Sequence, residues 1–243
     1  MTPVSTEDPP RVLSTPDFVA AAARLGEAIR EAAGVAPLVV AWVPDPAWLE
    51  DPARQRIGNV GVTALAGNVV LSSLTGNRAD QGVLAARAAA HAGADIFVVL
   101  DTCASFPRPT AEGGKERVVV SDHINLTGEN PLAGPNVAAW GVRFPDMTDP
   151  YTQALRIRLS TIGREVVLAG IPATPAGVTR QDLERADQLG ATAVSSGVVH
   201  AVIAARHSGL RVAACCVVQK RPEATVRADG RALVTTVLGL LTE

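Results

Sequence analysis

Two aspartates stand where the strands of an α/β chain would deliver side chains to a ligand. Asp101 follows the apolar run Asp95–Leu100 (DIFVVL), and Asp45 follows Pro37–Val43 (PLVVAWV). A carboxylate just beyond a buried strand is placed for general acid or base work, because ligands of open α/β sheets bind at that end. Asp101 is the first candidate and Asp45 the second. Cys103 could act as a nucleophile only beside an activating base, and no histidine neighbours it in the sequence, so it reads as an inert buried thiol. The four histidines show no H-x-x-x-H spacing and the three cysteines no C-x-x-C, so no metal site is expected. No G-x-G-x-x-G follows a strand, and no phosphate loop or G-x-S-x-G is present. No cofactor is expected.

The elements that must position these aspartates alternate along the chain. A helix is expected from Asp17, its cap, to Ala33, closed by Gly34. Strands follow at Pro37–Val43, Val60–Leu65 and Val69–Leu74, the last two joined by a turn at Gly67-Asn68. An alanine-rich helix over Asp80–Ala92 precedes the strand that leads to Asp101, and Arg117–Ser121 is the next strand. Gly128–Pro150 reads as a long irregular segment, a length that is usually functional or part of an interface. Helices at Tyr151–Ile162, Thr179–Leu189, Val198–Ser208 and Arg227–Leu241 alternate with strands at Val166–Ala169, Ala191–Ser195 and Arg211–Val218. This order predicts an α/β fold: one domain, with a mixed, mostly parallel central sheet flanked by helices. Residues 1–12 read as a disordered lead-in and residues 13–243 as the domain.

Composition narrows the partners. A net charge of −2 and eight scattered aromatics give neither a basic footprint nor a stacking platform, so nucleic acid is not an expected partner. No apolar stretch approaches the roughly 18 residues of a membrane span. The three cysteines, two of them adjacent in an apolar run, fit a reduced, cytoplasmic protein.

Two segments carry a family resemblance. Ser121–Asn136 (SDHINLTGENPLAGPN) followed by Gly141–Asp149 (GVRFPDMTD) resembles the D-H-I-N-L-x-G…N-P-L-x-G-P-N…R-F-P-x-M-S-D stretch of trimeric purine nucleoside phosphorylases. Leu189–Val194 with Val202–Val212 (VIAARHSGLRV) is similar to that family's L-G-A-D-x-V…I-x-A-R-H-x-G-L-R-V. The resemblance implies a nucleoside-phosphorylase-like fold, a homotrimer and a nucleoside-like substrate. It also implies which positions line the site. Ser196 matches a serine of the family's phosphate site. Asp101 and Thr102 fall where its N-A-A-G-G turn lies, and Gln219 matches an asparagine that assists the leaving purine. Trp140 matches a phenylalanine that reaches the neighbouring subunit's sugar pocket.

The same comparison shows departures. The family's G-S-G-L-G phosphate loop is replaced by Val43–Trp48, with two prolines and Asp45, and its arginine–histidine element leaves only Arg78 as a cation. Ala173 stands where a glutamate reads the purine, and Gly230 stands roughly where a histidine faces the sugar. The function implied is therefore action on a nucleoside-like small molecule by a route other than standard phosphorolysis. Different chemistry run by Asp101 or Asp45, and a non-catalytic binding relative, stay open as alternatives.

Overall fold

Val39–Val43 (β1) is buried at every residue, because it runs parallel between two strands and is covered on both faces. Its side chains alternate: Val40 and Trp42 enter one apolar cluster, while Val39, Ala41 and Val43 enter the other. A computed structural model describes residues 13–49, 55–65, 67–74, 78–105, 116–172, 177–219 and 223–242. The expected lead-in, residues 1–12, lies outside them.

Helix α1 (Pro16–Ala33) begins one residue before the expected Asp17, because Thr15 is the cap: its hydroxyl accepts from the Phe18 amide. Gly34 ends the helix at φ 75°, a conformation a side chain disfavours. After β1, a short 3-10 turn (Pro46–Trp48) leads to β2 (Gln55–Ile57), a strand not foreseen from the sequence, then β3 (Val60–Leu65) and β4 (Asn68–Ser73). The expected hairpin at Gly67-Asn68 is present, with β3 and β4 antiparallel. Helix α2 (Arg78–Ala92) leads into β5 (Ile96–Ser105). The chain continues as β6 (Arg117–Asn125), α3 (Gln153–Leu159), β7 (Arg164–Gly170), α4 (Arg180–Gln188), β8 (Ala193–Ser195), α5 (Val199–His207), β9 (Arg211–Val218) and α6 (Glu223–Thr242).

The nine strands form one mixed sheet in the order β2-β3-β4-β1-β5-β8-β7-β6-β9, and β9 also pairs with β5. That extra pairing closes β5, β8, β7, β6 and β9 into a ring, so the expected mixed, mostly parallel sheet ends in a small barrel. Helices α1, α2 and α5 cover one face through Leu25, Ile29, Val83 and Val202. Helices α3 and α6 cover the other through Leu155, Leu159, Leu233 and Val237. Trp42 and Phe97 are fully buried between these layers, and each contributes on the order of 1.5–3 kcal/mol through that burial.

Two strands are longer than their apolar runs, and both extensions matter for the site. β5 runs past Leu100 because β9 pairs with it as far as Cys103↔Val218 and β8 then pairs at Ala104↔Val194. Asp101 therefore sits within a strand rather than in a loop after it. β6 runs past Ser121 because β7 pairs with it from Asp122 to Asn125, across an irregularity between Val120 and Asp122. Asp122, His123 and Asn125 are thus strand residues, beyond the Ser121 at which the expected strand ended.

Candidate active site

Strand parity aims Asp101. Phe97, Val99 and Cys103 belong to the cluster beneath α2 and α5, so Asp101 points to that same face, at the point where β5 enters the barrel. A cavity of about 300 Å³ opens there, over the carboxyl ends of β5, β7, β8 and β9. Asp101, Thr102, Ser195, Ser196, Gly197 and Gln219 supply its polar lining, with Cys103, Ile171 and Val178 among the apolar walls.

The Asp101 side chain is 7% exposed and is held at both oxygens. The Thr102 amide donates to Oδ1 at 2.7 Å, and the Ser195 hydroxyl donates to Oδ2 at 3.2 Å. The Gly197 amide in turn donates to Ser195 Oγ at 3.2 Å. These donors fix the direction of the carboxylate, which a general base requires. Gly197 has to be a glycine: a Cβ there would lie 2.4 Å from Asp101 Oδ2. Gly197→Ala is expected to turn the carboxylate away from Ser195 and to lower stability by about 1–2 kcal/mol in urea unfolding. An unchanged midpoint would contradict this packing.

Of the residues expected from the sequence, four meet here: Asp101, Thr102, Ser196 and Gln219. Ser196 is exposed at the rim. The Gln219 amide N–H donates to the Cys103 carbonyl at 2.8 Å, which fastens the end of β9 to β5 and leaves the Gln219 side chain facing the opening. Asp45 is elsewhere: its Oδ1 accepts from the Ala47 amide at 3.0 Å and caps the 3-10 turn. Trp140 is also apart from the cavity within the chain. Its ring lies 4.6 Å from the Arg87 guanidinium and meets Phe18 edge-on at 6.2 Å. Ala173 lies outside the described residues, as does the side chain of Arg78, whose backbone opens α2.

Ser195 and Gly197 escaped sequence reasoning. The signal for Ser195 was parity, because it shares the barrel-facing side of β8 with buried Ala193. A hydrogen bond to Cys103, together with complete burial, pushes Cys216 well above the ordinary range, and burial pushes Cys215 up to about 12. Gly230 faces the Trp48 indole, and a Cβ there would come within 2.1 Å of the ring, so Trp48 fills the space that a side chain at 230 would need. Among the described residues no group of three or more His, Cys, Asp or Glu side chains is arranged to hold a metal, and no helix is long and apolar enough to cross a membrane.

Residues 54–237 match the model of the Phosphorylase superfamily. The chain belongs to that superfamily. Purine nucleoside phosphorylase 1 of Geobacillus stearothermophilus is 39% identical over 101 residues, 39% of this chain and 37% of that protein. Purine nucleoside phosphorylase of Mus musculus is 37% identical over 135 residues, 49% and 45% of the two chains. That of Mycobacterium leprae is 32% identical over 160 residues, 65% and 55%. The chain thus spans between 37% and 55% of the length of these relatives. The solved Schistosoma purine nucleoside phosphorylase with hypoxanthine superposes at a TM-score of 0.71 with 20% identity, over 92% of this chain and 96% of that one. The Schistosoma mansoni enzyme with inosine gives 0.70 at 19% identity. The superfamily's fold, expected from the Ser121–Asn136 and Val202–Val212 segments, is therefore the fold of this chain.

Proposed function

We propose that this chain is an enzyme of the phosphorylase superfamily that cleaves the glycosidic bond of a nucleoside-like molecule in the cavity over Asp101, with water rather than phosphate as the acceptor. The observation that carries this reading is the buried Asp101 carboxylate at the cavity floor. A unit of phosphate charge about 4 Å from a carboxylate meets repulsion of about 4 kcal/mol at an effective dielectric constant near 20. The polar lining of the cavity offers a phosphate hydroxyls, amides and this carboxylate.

A water in the same place is favoured by that charge. Asp101 takes its proton as the oxygen attacks the anomeric carbon, the carbon–nitrogen bond breaks, and its electron pair leaves with the base. The products are the free sugar and the base, the latter reprotonated from solvent. The Gln219 amide is proposed to hydrogen-bond the departing base, and the Thr102 and Ser196 hydroxyls to hold the sugar. The small-residue position Ala173 and the cation Arg78 are proposed to complete the substrate's surroundings. Asp45 is proposed as the second carboxylate only if substrate binding draws it from its cap. A homotrimer, in which Trp140 of one subunit closes the sugar side of the next, and a cytoplasmic location complete the reading.

The test is base release from inosine and guanosine, followed by chromatography while inorganic phosphate is raised from zero. A rate that does not depend on phosphate supports the proposal. Release that requires phosphate, or no release from any nucleoside tried, overturns it.

A further inference from the structure

A second buried charge lies away from the Asp101 cavity. Arg87 of α2 is 2% exposed, and its Nη1 faces the Ala204 carbonyl at 3.1 Å, His207 Nδ1 at 2.7 Å and Ser208 Oγ at 2.7 Å. An arginine only donates, so His207 Nδ1 must offer its lone pair. The ring proton is then on Nε2, from which it is donated to the Val142 carbonyl at 2.8 Å. The same guanidinium carries the Trp140 ring at 4.6 Å. Gly141 rests on the His207 backbone, where a Cβ would stand 2.2 Å from its carbonyl oxygen. One imidazole and one guanidinium thus hold the Trp140–Val142 stretch against α2 and α5. Beyond them the loop presents Val142 and Phe144, 67% and 86% exposed.

We propose that Arg87 and His207 form a clasp that fixes the loop carrying Trp140, and that protonation of His207 opens it. A second ring proton can go only to Nδ1, where it would point at a cationic donor instead of accepting from it. The charges acting on the ring are Arg87 from α2 and Arg143 from the loop, both opposed to protonation, while Arg206 on α5 interacts with Asp146 of the loop. Burial and these two cations hold His207 below its ordinary range, so the closed clasp is the neutral-pH form. The clasp is a property of the single chain and does not depend on the reaction proposed above.

The test is hydrogen exchange of the full chain, read by mass spectrometry over residues 137–147 between pH 7.5 and 5.0 and corrected for intrinsic rates. Wild-type protection there is expected to fall about tenfold for each pH unit once protonation opens the clasp. His207→Gln keeps an acceptor and a donor but does not titrate, so its protection should stay flat, and Arg87→Met should be open throughout. Identical profiles for wild type and His207→Gln would overturn the clasp, whatever Arg87→Met does. So would loop protection equal to that of β5 at every pH, which would leave global unfolding as the opening that exchanges the loop.

Discussion

Asp101→Asn is expected to slow base release about 10²- to 10⁴-fold, the range over which a positioned proton acceptor contributes. The substitution keeps the shape and removes the charge. The Thr102 amide can still donate to the remaining oxygen, as it does at 2.7 Å in the native chain. The Ser195 hydroxyl, now a donor to Oδ2 at 3.2 Å, can turn to accept from the new amide. The fold should therefore survive, with the urea midpoint nearly unchanged, and the loss should fall on kcat more than on KM. Activity within threefold of wild type would remove Asp101 from the mechanism.

Acid should destabilise this chain earlier than its carboxylates alone would dictate. His123, His200 and His207 all sit below the ordinary histidine range, with burial the main cause in each. The unfolded chain takes up these protons as the pH drops through about 6.5, while the folded chain resists them. Protons bound to the unfolded state pull the equilibrium toward it, so stability is highest above pH 6.5 and is lost below it. Each histidine contributes at most about 1.4 kcal/mol per pH unit, and the three together at most about 4. The true slope is smaller, because His123 is only partly buried. His200 Nε2 lies 2.9 Å from Thr127 Oγ1 and His123 Nδ1 lies 3.1 Å from the Tyr151 hydroxyl, so charging either ring also strains a side-chain network. The exposed Asp95 and half-buried Asp182 are held below their ordinary range by Arg211 and Thr179, and their loss follows only at more acid pH. Urea midpoints at pH 7.5, 6.5 and 5.5 should fall in that order. A flat series would show that the three rings titrate alike in both states.

The depth at which these features could be read from the sequence differs. Asp101 could be located because a continuous apolar run announces a buried strand, and strand alternation then sets its direction. Ser195, its hydrogen-bond partner, could not, because it lies 94 residues away and meets Asp101 only when β8 pairs with the end of β5. The barrel was hidden for the same reason. Its closure rests on β9 pairing with both β5 and β6, which no local pattern encodes. Asp122–Asn125 fell outside the expected strand because its polar residues mask a stretch that pairs along the β7 ladder. Trp140 is marked by its match to the family's phenylalanine, but its seat on Arg87 requires the helix pair α2 and α5. Arg87 itself lies in an alanine-rich helix, where an arginine reads as surface, yet it is 2% exposed.

The identity of the sugar product addresses the central claim most directly. Purified protein is incubated with inosine or guanosine in saturating phosphate, and the products are read by phosphorus and proton NMR. Free ribose and free base, with the phosphate resonance unchanged, is the predicted result. Ribose 1-phosphate in amounts equal to the released base would contradict it.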